Sequence, residues 1–128
     1  ARMHPELAAH VEKARPPYNL NVYAQLAARA LLVEMPEVLD EAVARIVAER
    51  TRLAEALAAI PGVRPFPSRA NFVLVEVRDA ARAHAALLEQ GIAVRRFANE
   101  PALSRHLRIT VGTPAENDAL LAALRALP

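Results

Sequence analysis

Pro61-Gly62 divides the chain into two kinds of pattern, and that break limits the possible folds more than any other feature. Before it, apolar residues recur at helical spacing. After it, short apolar runs alternate with helical stretches. His4 to Ala14 reads as a helix with Leu7, Ala8 and Val11 on one face. Arg15-Pro16-Pro17-Tyr18-Asn19 ends it, because consecutive prolines cannot continue a helix. Asn19 or Asn21 can cap a second helix, reaching about Val33. Pro36 opens a third, running to about Ile60, with Leu39, Val43, Ile46, Leu53, Leu57 and Ile60 as a stripe interrupted by Arg50. A helix of about 25 residues is a rod on the order of 37 Å, long enough to join two bodies.

Beyond the break, Val63 to Phe66 and Phe72 to Val77 read as strands. Asp79 caps a helix through Glu89 with Ala83, Leu87 and Leu88 inward, and Gly91 stops it. Ile92 to Phe97 is extended. Leu107, Ile109 and Val111 alternate along a last strand, which turns Arg108 and Thr110 to its other face. Thr113, Pro114 and Glu116 stand at N-cap, N1 and N3 of a final helix, a capping box with proline in the first turn. The expected class is α+β: N-terminal helices, a long connecting helix, then a small sheet covered by helices.

A little over half of the 128 residues are apolar, and the net charge is only +2. Lys13 is the only lysine, and the arginines are scattered, without the basic cluster and aromatic residues of a nucleic-acid surface. With no cysteine, disulfides and thiolate metal sites are excluded. No apolar run reaches membrane-spanning length and no signal peptide is visible, so no membrane partner and a cytoplasmic setting are expected. The chain begins on Ala1, as expected of a piece of a longer protein.

Two guanidiniums carry the candidate chemistry. Arg108 sits within the last strand and Arg95 within Ala93-Val94-Arg95-Arg96-Phe97, on segments that a hairpin-like loop could bring together. Planar, permanently charged forks suit carboxylates and phosphates. Alternatively, both face solvent and pair with Glu76 or Glu100. Asn71, at the start of a strand, is a possible cleft residue or a backbone cap. Tyr18 and Asn19 are possible cleft residues or simple turn chemistry. His4, His10, His84 and His106 lack metal-ligand spacing, and Ser68 and Ser104 have no recognisable catalytic base. The chain has three glycines and no phosphate-binding glycine loop. Its own residues offer anion binding, without covalent or acid–base catalysis.

The blocks Arg15-Pro16-Pro17-Tyr18-Asn19-Leu20-Asn21, Ser68-Arg69-Ala70-Asn71-Phe72-Val73-Leu74, Gly91-Ile92-Ala93-Val94-Arg95 and Leu107-Arg108-Ile109-Thr110-Val111-Gly112-Thr113-Pro114-Ala115-Glu116-Asn117 occur in an order that resembles the C-terminal third of the histidinol-phosphate aminotransferases. These are fold-type I enzymes that use pyridoxal 5'-phosphate. The resemblance implies that residues 1–35 are the helical end of the cofactor domain, 36–60 the connecting helix and 61–128 the small domain. It implies that Arg108 grips the substrate α-carboxylate and that Arg95 helps bind the phosphate of histidinol phosphate. It also implies a homodimeric parent that exchanges an amino group between glutamate and imidazole-acetol phosphate.

Such enzymes need a lysine for the cofactor. Lys13 lies in Glu12-Lys13-Ala14-Arg15, not in the family's serine-lysine segment. The chain alone is therefore expected to be inactive, with the cofactor-binding residues upstream and the first three helices exposing apolar surface. The alternatives are a phosphothreonine-type decarboxylase, an aromatic aminotransferase, and a stand-alone, non-catalytic α+β binding module.

Overall fold

The computed structural model describes residues 3–14 and 20–127. It divides into two compact units, 1–40 and 41–128. Tyr18 and Asn19 lie outside the described residues.

In the first unit, α1 spans Pro5–Ala14 and α2 spans Val22–Arg29. Asn21 caps α2, its side-chain oxygen accepting from the Ala24 N–H at 2.8 Å. The expected continuation to Val33 is a wider π turn, Ala30–Glu34, closed by a Met35 N–H donating to the Ala30 carbonyl at 2.8 Å. The cause lies in Pro36, because a residue before proline is pushed out of helical geometry and the last turn must close before it. None of these turns contains a buried residue. Leu7, Leu26, Leu32 and Val33 are exposed.

α3 spans Pro36–Ala58, about 34 Å at the usual rise. The expected stripe is buried only at its C-terminal end, at Leu53, Leu57 and Ile60 just beyond, whereas Val43 and Ile46 are exposed. Spacing correctly groups the residues on one face. It cannot say how far along the rod a core reaches.

The second unit is a four-stranded antiparallel sheet in the order β1-β2-β4-β3. The strands are β1 (Val63–Pro65), β2 (Phe72–Val77), β3 (Arg95–Arg96) and β4 (His106–Thr110). α4 (Ala80–Glu89) links β2 to β3, and α5 (Pro114–Arg125) follows β4. Because β4 is antiparallel to both neighbours, β2 and β3 run in the same direction around it, a split β-α-β unit.

Val73, Val75, Val77, Leu107 and Ile109 bury one face of the sheet against Leu53 and Leu57 of α3, Ala83 and Leu87 of α4, and Leu120, Leu121 and Leu124 of α5. Leu88, expected inward, is exposed, and Ala80 takes the inward place at the helix start. β3 is shorter than the extended run expected over 92–97. The Ile92 N–H is committed to the Leu87 carbonyl at the end of α4, and Gly91 supplies the left-handed turn at φ +76. Only Arg95 and Arg96 are left to pair with β4.

Candidate functional site

β4 sits between β2 and β3, and that placement builds the site. Cross-strand register puts Arg95 directly opposite Arg108, with Leu74 opposite Arg108 on the other side. Directly paired residues share a face, so the two guanidiniums rise from the face opposite the core. The hairpin expected from sequence therefore forms. Its loop contains a short 3-10 turn, Pro101–Leu103.

Like charges directly opposite one another are unfavourable in a sheet. Among the described residues neither arginine forms an ion pair that would offset this. Pairing with Glu76 or Glu100 is not what forms. Glu76 is taken by Arg64 and by Arg105 at 3.2 Å, and chiefly its hydrogen bond from Arg64 holds its carboxyl below the ordinary value. The Arg108 guanidinium instead lies over the Phe72 ring, 5.2 Å from its centroid, and Arg95 lies 5.5 Å from the centroid of Phe97. Such cation–π contacts orient a guanidinium without consuming its donors. The Arg108 Nε is buried and has no hydrogen-bond partner, a state that native proteins seldom leave unexplained.

Asn71 is exposed, and its carbonyl accepts the Val111 N–H at 2.9 Å, beside the end of β4. The loop before it is held by Arg50, which donates to the Ala70 carbonyl at 3.0 Å, and by Ser68, whose hydroxyl donates to the Phe72 carbonyl at 2.6 Å. Ser68 thus has a loop-holding role, and the break that Arg50 makes in the α3 stripe is explained. His106 stacks 5.5 Å from Phe66, and no metal-binding group of three ligands occurs among the described residues. Two concavities of this unit, about 300 and 600 Å3, contain neither Arg95 nor Arg108. On the face away from the core, Arg95 is exposed and Arg108 is half-buried.

Beyond β4, the turn is fixed by more than the expected capping box. The Thr113 hydroxyl accepts from the Glu116 N–H and the Glu116 carboxylate accepts from the Thr113 N–H at 2.7 Å. Asn117 also grips Gly112 with both arms. Its Nδ2 donates to the Gly112 carbonyl at 3.0 Å, and its Oδ1 accepts the Gly112 N–H at 3.0 Å. The same Nδ2 donates to Glu49 of α3 at 2.9 Å. Sequence reasoning gave Asn117 and Glu49 no role, yet the signal was present. Asn117 continues the spacing of Leu120, Leu121 and Leu124, and Glu49 continues that of Leu53 and Leu57. Each is a polar residue on an apolar stripe.

The aminotransferase class I and II family matches residues 2–124. A histidinol-phosphate aminotransferase from Roseiflexus castenholzii is 48% identical over 98% of this chain and 34% of its own length. A decarboxylase from Sulfurospirillum multivorans superposes with a TM-score of 0.82 at 28% identity, over 97% of this chain and 37% of that one. A histidinol-phosphate aminotransferase from Sinorhizobium meliloti, solved with pyridoxal-5'-phosphate, superposes with a TM-score of 0.76 at 30% identity, over 94% of this chain and 33% of that one. The chain spans about a third of the length of the curated relatives it matches. With its mixed helix-and-sheet architecture, it belongs to the class I and II aminotransferases, in the fold-type I group that works with pyridoxal phosphate.

Proposed function

We propose that this chain is the substrate-gripping portion of a pyridoxal-phosphate aminotransferase that exchanges an amino group between glutamate and imidazole-acetol phosphate. The paired, uncompensated guanidiniums of Arg95 and Arg108 support that reading most directly. Facing side chains on adjacent strands stand roughly 5 Å apart at their Cβ atoms. Two forks at that spacing suit a small substrate with an anion at each end. Arg108, set over Phe72, receives the α-carboxylate, and Arg95 receives the phosphate. Holding both ends fixes the α-carbon between them, which is the positioning that proton transfer there requires. Asn71, beside the end of β4, is the possible cleft residue on that side, and Tyr18 and Asn19 lie outside the described residues.

The chain's own residues do not fit the cofactor by themselves. Lys13, the only lysine, lies in the last turn of α1 and outside the unit that carries Arg108. In this reading the cofactor-binding lysine belongs to residues outside this chain, the chain alone is inactive, and the arginine-bearing face closes against that part. The assignment of 1–35 to the cofactor domain, 36–60 to the connector and 61–128 to the small domain belongs to the same proposal, as do a homodimeric parent and a cytoplasmic setting. Among the described residues no helix is long and apolar enough to cross a membrane.

The test is Arg108→Ala in the full-length protein. Catalytic efficiency with glutamate should fall by an amount on the order of 2–5 kcal/mol, the usual loss on truncating one partner of a buried charge pair. Unchanged efficiency would remove Arg108 from the site. The similarity to a decarboxylase supports decarboxylation as a second reading. Release of carbon dioxide from a phosphorylated amino acid, without amino transfer to a keto acid, would favour it.

A further inference from the structure

We propose that Asn117 and Glu49 are positioning residues that set the place of Arg108 by clamping the C-terminal end of its strand to α3. The proposal rests on the reading of Arg108 as a carboxylate-binding residue, but its geometry stands independently. Asn117 is only 2% exposed and, among the described residues, is the one polar side chain in the buried set. Its three hydrogen bonds hold both backbone groups of Gly112 and reach Glu49. Gly112 ends the run that begins four residues earlier at Arg108.

Glu49 is held in turn. Arg52 donates to its carboxylate, with the shortest contact at 2.9 Å, and also reaches Asp118 at 2.6 Å and the Pro114 carbonyl at 3.3 Å. α3 therefore grips both the turn after β4 and the first turn of α5. Gly112 leaves little slack, since a Cβ there would lie 2.8 Å from a Glu116 carboxylate oxygen and 3.0 Å from the Glu116 Cβ. One strand further across, the Val111 N–H is tied to Asn71. The end of β4 is fixed from α3, α5 and the residue before β2 together, while among the described residues the Arg108 guanidinium has its contact with the Phe72 ring and no hydrogen bond or ion pair. A stacked guanidinium can slide along a ring face, so its reach is set by the height of its strand. The β2 and β3 ladders hold that height at Arg108, and the clamp holds it at the strand's end.

The amide chemistry explains why asparagine is required. One end must accept from Gly112 and the other must donate to Gly112 and to a carboxylate at once, which no aspartate or leucine can do. Asn117→Asp would set a carboxylate against Glu49 and leave the Gly112 carbonyl without its donor. Adding Glu49→Gln restores a donor between the helices, so the reciprocal pair is the informative variant.

The experiment follows the Arg108 Nε–H resonance by nitrogen-15 NMR, and the KM and kcat for glutamate, in the full-length protein. Asn117→Asp should shift the resonance and raise the KM about tenfold, the usual scale for one lost hydrogen bond to a charged group, with a smaller fall in kcat. Asn117→Asp with Glu49→Gln should move both readouts back towards the parent. If Asn117→Asp does not fold, Glu49→Ala leaves Asn117 on Gly112 and should shift the resonance and raise the KM for glutamate by a smaller factor. An unmoved Arg108 resonance in folded Asn117→Asp or Glu49→Ala protein overturns the proposal. A resonance that moves with no change in KM supports the clamp and instead defeats the carboxylate role of Arg108, which the Arg108→Ala variant checks separately.

Discussion

Arg95 and Arg108 hold opposite ends of one ligand in the proposed reading, so their losses should differ in kind. Arg108 meets a group common to every amino-acid substrate, whereas Arg95 meets only the phosphate. Arg95→Ala in the full-length protein should raise the KM for the phosphorylated substrate by one to two orders of magnitude, on the order of 1.5–3 kcal/mol for a hydrogen bond to a charged group. The KM for glutamate should stay within about twofold. Equal effects on both substrates would refute that division of labour. The alternation around Ile109 correctly assigned Arg108 to the face away from the core, because side-chain direction in a strand is a matter of parity. The roles of Phe72 and Asn117 were harder to read. Phe72 looks like one more apolar residue in an apolar run, and its contact with Arg108 depends on cross-strand register. Asn117 is out of place only once the stripe it interrupts is known to be buried.

At the level of elements, the caps and breakers were the legible part. Asn21, Asp79 and Thr113 each cap the helix that follows, through side-chain oxygens that satisfy otherwise unpaired N–H groups. The π turn and the shortened β3 were not legible. Both arise from competition for backbone hydrogen bonds at a helix end, and propensity does not encode that competition.

Three carboxylates tie these elements together, and all three ionise below the ordinary value of 4.5. Glu49 is lowered first by its hydrogen bond from Arg52 and then by Asn117, Glu76 by Arg64, and Glu116 by the Thr113 backbone N–H and hydroxyl. A group whose folded value is depressed stabilises fully above its unfolded value, and that contribution is lost as pH falls through the folded one. The urea midpoint of the sheet-bearing unit should therefore be flat above the ordinary carboxylate range and decline below it. Glu116→Gln should lower the plateau and flatten the acid decline. An acid decline as steep as the parent's would show that the capping carboxylate does not contribute.

The two units of the molecule differ in what holds them. Among the described residues, the buried apolar core lies within 41–128, while α1, α2 and the π turn contain no buried residue. Local opening free energy follows buried contact. In this chain on its own, amide hydrogen exchange should be fast through α1 and α2 and slow in β2, β4 and α5. Limited proteolysis should cut within the first forty residues before it cuts the sheet. Protection in α1 equal to that in β4 would show that the first unit has a support of its own.

The borders of the sheet have a further consequence. β3 is a two-residue margin made of Arg95 and Arg96, and the opposite margin, β1, ends on Pro65, which has no N–H to offer. A brief, doubly charged border and a proline-ended border both discourage a foreign strand from joining. The arginine assigned to phosphate is thus also a guard against fibril-like growth. Self-association is thereby steered towards surfaces other than the strands, and removing charge at position 95 or 96 should weaken that barrier, and at position 95 also the proposed grip on a ligand.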